Sequence, residues 1–181
     1  MPINLRSLAS AVRMTVRVLE KLRSGTAGSA GPAAPKTAGR PAASSAAARW
    51  YPGDFRGASS VRYAPHPDGS PDPGEVVWTW VPYEEDHSKG KDRPVLLVGH
   101  NGPHLLGLML TSKDHDQDSS RSEDYVDIGT GSWDRQQRPS EANLGRVLQI
   151  SPDSIRREGA VLERKRFDLV AAGLRRRHGW K

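Results

Sequence analysis

Three short apolar segments lie between Gly74 and Ser112, and they limit what this chain can fold into. The first, Val76–Val81, alternates its side chains with the two-residue period of a strand. The second, Val95–Val98, is wholly apolar, as expected of a strand buried on both faces. The third is Leu105–Thr111. Turn-forming and charged residues separate the three, so the sequence predicts a small antiparallel sheet.

The rest of the chain predicts two more strands and a helix. The strands are Tyr125–Ile128 and Asn143–Ile150, and Ser151-Pro152-Asp153 has the residue types of a helix start. A helix that packs on the sheet is indicated by apolar residues at helical spacing, namely Phe167, Val170, Ala171 and Leu174. The expected fold is mainly β (α+β), a small SH3-like barrel of about five to seven strands with a packed C-terminal helix.

The first 49 residues differ in composition from this domain. Pro2–Arg23 predicts a basic amphipathic helix, and Ser24–Arg49 predicts a disordered linker, because Ala, Gly, Ser and Pro cannot bury enough apolar surface to offset the ordering entropy. Residues 50–181 form the expected barrel domain. Arg13 and Arg17 interrupt any signal-peptide core, and no apolar run is long enough to span a membrane.

Charge is distributed unevenly along the chain. Residues 1–50 carry a net +7, residues 51–151 a net −6 and residues 152–181 a net +5, within an overall +6. The predicted barrel is therefore acidic, and a basic surface cannot by itself explain nucleic acid binding. Any RNA must be held by local Arg and Lys side chains. The absence of cysteine excludes disulfides and thiolate metal sites.

The order and spacing of several motifs resemble the PemK/MazF family. These motifs are Pro-Gly-Glu-Val-Val-Trp at 73–78, Arg-Pro-Val-Leu-Leu-Val at 93–98, Tyr-Val-Asp-Ile-Gly at 125–129 and Asn-Leu-Gly-Arg-Val at 143–147. The resemblance covers roughly residues 73–178. It implies a MazF/CcdB-like barrel and a toxin of a type II toxin–antitoxin system.

The resemblance also implies an activity and partners. Such a toxin is a metal-independent endoribonuclease without a cofactor, and it cleaves single-stranded RNA by attack of a 2′-hydroxyl on the adjacent phosphate. Expected partners are a second copy in a homodimer and a cognate antitoxin with an acidic segment. Operator DNA would be bound chiefly through the antitoxin. The expected location is the cytoplasm, and membrane association is not expected.

Two residues match the family's phosphate-binding positions. Arg93 corresponds to the arginine that acts on the scissile phosphate, and a guanidinium can hold two phosphate oxygens at once. Thr111 corresponds to the hydroxyl residue at the end of the third strand, and Ser112 is its neighbour. The alternatives are a surface ion pair of Arg93 with Asp92 or Asp86, and a threonine that merely ends a strand.

The sequence indicates the general acid and the general base less clearly than it indicates the phosphate-binding residues. Many relatives have a glutamate five residues before the arginine, where this chain has Ser88. Asp86 and His87 are the substitutes in the same loop, and histidine exchanges protons near neutral pH. A solvated loop histidine is the alternative for His87. Lys89 and Lys91 are expected to hold flanking phosphates.

Further RNA contacts are predicted outside this loop. Arg146 matches the family's basic position on the last strand, although a charge that protects a strand edge is the alternative. Trp133, alone in a polar loop, is the candidate for stacking on a base. Trp78 and Trp80 are interpreted as core or dimer-interface residues because of their strand spacing.

The sequence also bears on three alternatives to this function. No metal site is predicted, because Gly102-Pro103 prevents the helix that would align His100 with His104. The main alternative function is a catalytically inactive barrel that binds RNA or protein. A weaker one is a membrane-tethered adaptor built around the N-terminal helix.

Overall fold

The computed structural model describes residues 51–66, 68–113 and 122–181. The predicted helix Pro2–Arg23 and the predicted linker Ser24–Arg49 lie outside the described residues. So does most of the polar loop after the third strand.

Six strands and one α-helix make up the described domain. The helix, α1, spans Arg164–His178 and follows all the strands. In chain order the strands are β1 (Glu75–Pro82), β2 (Gly90–Asn101), β3 (His104–Thr111), β4 (Tyr125–Gly129), β5 (Ser140–Ile150) and β6 (Ile155–Val161). This agrees with the expected mainly β fold and with its C-terminal helix.

All six strands belong to one sheet. Their order across the sheet is β4-β5-β3-β2-β1-β6, and every neighbouring pair is antiparallel. Among the described residues β4 and β6 form the two edges, so the sheet is strongly paired but not closed by backbone hydrogen bonds. The long central strand β2 connects β1 with β3.

The prediction for the segment after Ile150 was wrong in one respect. Ser151-Pro152-Asp153 does not begin the long helix, because Pro152–Ser154 forms a single 3-10 turn. The chain then returns to the sheet as β6, which pairs with β1. The two apolar residues at the ends of β6, Ile155 and Val161, are separated by charged residues, which hid the strand from a hydrophobicity pattern.

The predicted apolar stripe of α1 is confirmed. Phe167, Val170, Ala171 and Leu174 are all buried. The last turn carries four basic residues, as the helix dipole favours, and Gly179 ends the helix in the left-handed conformation with φ 66°.

The sheet has one apolar cluster on each face. The cluster on the first face has 17 buried residues, and it joins sheet residues such as Leu96, Leu108 and Leu144 to the apolar stripe of α1. The opposite face carries a smaller cluster that includes Val77, Val95 and Leu148. The alternation of β2 explains this, because neighbouring strand residues point to opposite faces. The candidate site lies on the second face.

The segment before β1 is ordered against the domain. The backbone N–H of Phe55 donates to the carbonyl of Val147 at 2.8 Å, and the N–H of Val61 donates to the carbonyl of Lys181 at 2.8 Å. The Trp180 indole N–H donates to the carbonyl of Gly57 at 3.1 Å. This segment therefore forms hydrogen bonds both with β5 and with the last residues of the chain. In the described part of the chain, no helix has the length and hydropathy of a membrane span.

Candidate active site

Five polar residues form a row across one end of the second sheet face. We call them the polar row, and they are Thr79, Arg93, Thr111, Glu141 and Asp127. The strand pairing aligns Thr79 with Arg93, Thr111 with Glu141, and Glu141 with Asp127. Residues directly opposite each other in an antiparallel pair point to the same face. The row therefore brings a cation, two hydroxyls and two carboxylates onto one surface.

The central pair of the polar row follows from the register of β2 with β3. Their paired residues include Leu96 with Leu108 and Val95 with Met109. Continuing the same register for two residues places Arg93 opposite Thr111. The paired ladder stops at Val95 because the residue before it, Pro94, has no N–H to donate. The two residues that were predicted to hold the phosphate are thus neighbours across the sheet.

The alternative ion pairs proposed for Arg93 are occupied by other groups. Asp92 accepts a hydrogen bond from the Nη1 of Arg156 at 2.7 Å. Asp86 is paired with the Nζ of Lys89 at 3.0 Å. Arg93 itself is half-buried, and no described residue forms an ion pair with it. Its guanidinium is therefore not neutralised by either carboxylate.

Thr111 keeps a hydrogen that it can donate. It is half-buried at the last position of β3, and its Oγ1 accepts the backbone N–H of Lys113 at 3.1 Å. Accepting that bond leaves the hydroxyl proton free to point elsewhere. Ser112 is exposed and lies just after the strand. Its side chain should point away from Thr111, as those of successive residues in an extended chain do.

The loop between β1 and β2 is stabilised by its own side chains. Asp86 accepts the backbone N–H of Ser88 at 3.0 Å and the hydroxyl of Ser88 at 2.5 Å. These hydrogen bonds, together with the one from Lys89, lower the pKa of Asp86 to about 2. The hydrogen bond from Asp86 also raises the pKa of Lys89. Asp86 is consequently ionised near neutrality and weakly basic.

His87 and Lys91 lie on either side of this internal pair. His87 is exposed, and its ring meets that of Tyr51 edge-on, with 5.1 Å between centroids. Lys91 is exposed on β2 opposite Val81. It is two residues from Arg93, so both point to the second face. Lys91 therefore adds a second positive charge next to Arg93, on the side of the loop.

Arg146 lies in a buried ion pair at the edge of this region. Its Nε donates to the Oδ2 of Asp54 at 2.9 Å, and its Nη1 donates to the carbonyl of Pro82 at 2.7 Å. The side chain of Arg146 is 10% exposed. Its Nη2 is buried and has no partner among the described residues. The Tyr51 hydroxyl donates to the other oxygen of Asp54.

The pKa values in this network move in the directions expected of a partly buried pair. Burial alone would raise the pKa of Asp54, but the hydrogen bonds from Arg146 and Tyr51 outweigh it and lower the pKa. Burial and the nearby Asp54 charge raise the pKa of Tyr51. Burial lowers the pKa of Arg146 while Asp54 raises it by more. The predicted RNA contact of Arg146 would require Asp54 to move.

Trp133 is a core residue in this structure. It is 3% exposed and belongs to the cluster beneath α1. Its indole N–H donates to the Oγ of Ser140 at 3.1 Å, and its carbonyl accepts the indole N–H of Trp78 at 3.0 Å. A buried ring has no open face on which a base can stack, so Trp133 does not line the polar row. A tryptophan isolated within a polar loop was serving as the loop's anchor.

The two histidines of the β2–β3 hairpin do not converge. His100 pairs with Leu105, and Asn101 pairs with His104, so the two imidazoles belong to opposite faces. Within the described ranges, no group of three His, Asp or Glu side chains has the arrangement of a metal site.

Two acidic residues near the site were missed from the sequence. Glu141 precedes the predicted strand Asn143–Ile150, whereas β5 begins at Ser140. Its polar surroundings give no strand pattern. Asp54 belongs to no motif of the sequence, and its partner Arg146 is 92 residues away. No local signal links residues at that separation.

The fold and site together define a class of protein. An open antiparallel sheet, backed by one helix, presents an arginine that no described carboxylate neutralises beside a hydroxyl that can donate, which is an arrangement suited to a phosphodiester. A family model described as PemK-like, MazF-like toxin of type II toxin-antitoxin system matches residues 72–177. The chain belongs to this family. No curated protein matches it.

Several solved structures are similar to part of this chain. They include an endoribonuclease from a mycobacterial species in complex with its cognate antitoxin, with 14% identity, a TM-score of 0.47, and coverage of 61% of this chain and 96% of that one. The Mycobacterium tuberculosis toxin MazF-mt6 has 12% identity, a TM-score of 0.43, and coverage of 59% and 98%. A MazE–MazF complex from Deinococcus radiodurans has 18% identity, a TM-score of 0.45, and coverage of 62% and 98%. The family assignment rests on the sequence match.

Proposed function

We propose that this toxin is an endoribonuclease that cleaves single-stranded RNA without a metal ion. The nucleophile would be the 2′-hydroxyl next to the scissile phosphate, which the substrate itself holds in position. The products would be a 2′,3′-cyclic phosphate and a free 5′-hydroxyl. The observation that carries this proposal is the register of β2 with β3, which aligns Arg93 with Thr111 two residues beyond the last pair, Val95 with Met109.

Arg93 would stabilise the negative charge that builds on the phosphoryl oxygens. A guanidinium can donate two parallel hydrogen bonds to these oxygens, and its charge is permanent. Thr111 would donate its hydroxyl hydrogen to the same phosphate. Donors that are already oriented toward developing charge are effective because they need not reorganise during the reaction. Support for these roles comes from the absence of a described carboxylate partner for Arg93.

The flanking RNA would follow the exposed cations beside the polar row. Lys91 lies on the same face as Arg93, and Lys89 lies in the adjacent loop. Phosphate contacts of this kind position a nucleic acid without reading its sequence. His87 is exposed in the same loop, where it would exchange protons with water near the site. The predicted hydroxyl role of Ser112 is not part of this proposal, because its side chain points away from that of Thr111.

The proposed partners follow from family membership. A cognate antitoxin would neutralise the toxin, and an acidic segment of that antitoxin would match the cations around Arg93. A homodimer and binding of operator DNA through the antitoxin complex are part of the same proposal. The cytoplasm is the proposed location.

The test is RNA cleavage by the full chain in excess EDTA. A mixed-sequence single-stranded RNA should be cut, and the 3′ ends of the products should carry cyclic phosphate. Arg93→Ala should lower the rate by about 10²–10³-fold, the loss typical of removing one oriented donor from a developing charge. Arg176→Ala is the matched control, because Arg176 is exposed on α1, behind the opposite face of the sheet.

Three outcomes would contradict the proposal. If a folded preparation binds the RNA and cuts none of it, the chain is an inactive binding module. Cleavage that EDTA abolishes would exclude the metal-independent mechanism. Cleavage that Arg93→Ala and Arg176→Ala leave equally unchanged would remove Arg93 from the site.

A further inference from the structure

Glu141 occupies a position in the polar row that the proposed mechanism has not used. It is directly opposite Thr111 on one side and directly opposite Asp127 on the other. It is 9% exposed, whereas Thr111 and Arg93 beside it are half-buried. The strand β5, rather than a loop, holds Glu141 beside the hydroxyl, next to an irregularity of its pairing with β3 between Val147 and Ala142.

We propose that Glu141 is the general base of this enzyme, the group that removes the proton from the attacking 2′-hydroxyl. This assignment rests on the proposed function. It supplies the carboxylate that Ser88 does not provide in the loop between β1 and β2. The carboxylate would come from the opposite side of Thr111 instead.

The spacing of the strands sets the reach of each side chain. Directly opposite residues in an antiparallel pair have Cβ atoms about 5 Å apart. Glu141 is therefore about 5 Å from Thr111 and about 10 Å from Arg93 by this measure. A phosphate held by Arg93 and Thr111 would lie between the guanidinium and the carboxylate. Its neighbouring 2′-hydroxyl would then come within reach of Glu141.

The other carboxylates are less well suited to this role. Asp127 lies one strand further from Arg93, is exposed, and accepts the N–H of Gly129 at 2.7 Å. Asp86 is engaged by its own loop, with a pKa of about 2, and a base of that strength is poorly matched to neutral pH. Of the two carboxylates of the polar row, Glu141 is the one directly opposite Thr111.

The proton and bond changes balance with water as the only added proton carrier. The carboxylate of Glu141 accepts the proton of the 2′-hydroxyl as the bond between O2′ and phosphorus forms. The bond between phosphorus and O5′ then breaks, the departing oxygen takes a proton from water, and the hydroxide left behind removes the proton from Glu141. Arg93 and Thr111 bind the phosphoryl oxygens throughout.

The test compares single-turnover cleavage by the full chain and its Glu141→Gln variant. The glutamine keeps the size of the side chain but cannot accept the proton, so the rate should fall by about 10²–10⁴-fold. The acidic limb of the pH–rate profile should disappear in the variant. Affinity for RNA with a 2′-deoxy nucleotide at the mapped cleavage position should change less than about threefold, because RNA binding does not use the proton.

Asp168→Asn is the matched control, since it removes one negative charge from α1, behind the opposite face of the sheet. It should retain the rate within about threefold, as expected of a group outside hydrogen-bonding reach of the reacting atoms. If both variants lose activity equally, the loss of a negative charge from the domain is responsible, and Glu141 is not the base. An unchanged rate or an unchanged acidic limb in Glu141→Gln would overturn the assignment directly.

Glu141→Asp is a second variant, which keeps the test valid if Glu141→Gln fails to fold. The shorter side chain keeps the carboxylate but withdraws it from the substrate, so the rate should lie between those of the wild type and Glu141→Gln. An aspartate variant as fast as the wild type would overturn the proposal. If the wild type itself cuts no RNA, the proposed function fails and this assignment with it. If the wild type cuts and depends on Arg93, a negative result concerns Glu141 alone.

Discussion

Replacing Asp54 with asparagine should destabilise the domain strongly. The change removes the charge that faces Arg146, whose side chain is 10% exposed while that of Asp54 is 18% exposed. Arg146 would keep its hydrogen bond to the carbonyl of Pro82. Its Nη2, already without a described partner, would then belong to an uncompensated buried cation.

The expected magnitude follows from the burial of the pair. Breaking a fully buried ion pair by removing one partner costs about 3–5 kcal/mol. Asparagine retains an oxygen that can accept from Arg146, and both side chains keep some contact with water. We therefore expect a loss of about 2–4 kcal/mol, which is a large share of the stability of a typical domain.

Urea unfolding of the full chain, followed by tryptophan fluorescence, measures this loss. Asp168→Asn is the control, because Asp168 forms an exposed i,i+4 pair with Arg164 at 2.9 Å. That control should cost less than about 0.5 kcal/mol. If Asp54→Asn cost no more than the control, the Asp54–Arg146 pair would not hold the segment before β1 on the domain.

The pH dependence gives a second check on the same pair. Because the folded domain lowers the pKa of Asp54, ionised Asp54 contributes stability above its unfolded pKa of about 3.9. That contribution is lost as pH falls through the lower, folded pKa. The difference between wild type and Asp54→Asn should therefore be constant near neutrality and shrink below about pH 4. A difference that grows in acid would contradict the assigned direction.

Three further changes have definite expected outcomes. Trp133→Ala should cost about 3–5 kcal/mol in urea unfolding, because it empties a buried site, and a smaller loss would place the ring outside the core. Gly107→Ala should cost about 1–3 kcal/mol, since the new Cβ would lie 2.5 Å from Val95 and 2.7 Å from Ile150, and an unchanged midpoint would refute that overpacking. Thr111→Val should lower RNA cleavage by at least about 10-fold with little change in RNA affinity, and full activity would exclude its hydroxyl from the reaction.

The sequence was sufficient to predict the sheet and the helix. Strand segments such as Val76–Val81 and Leu105–Thr111 alternate or run apolar over enough residues to be recognised locally. The helical stripe ending at Leu174 is equally local, because its period of 3.6 residues is contained in two turns. Family motifs added Arg93, whose position at the start of β2 no hydrophobic pattern marks as functional.

Elements with mixed polarity were not predictable in this way. The strand Ile155–Val161 carries charges because it is an edge strand, and such strands commonly do. The start of β5 at Ser140 was read as loop for the same reason. Both errors came from polar residues in strands whose pairing partners are distant in sequence.

The amino-acid sequence by itself determined which apolar segments form strands, which segment forms the helix and which family the motifs belong to. These properties depend on residues close together in the chain. Only the tertiary structure decided that Trp133 is core and that Arg146 is paired with Asp54. Only the strand register placed Glu141 beside Thr111. Burial and register depend on contacts between residues far apart in sequence, and no local pattern encodes them.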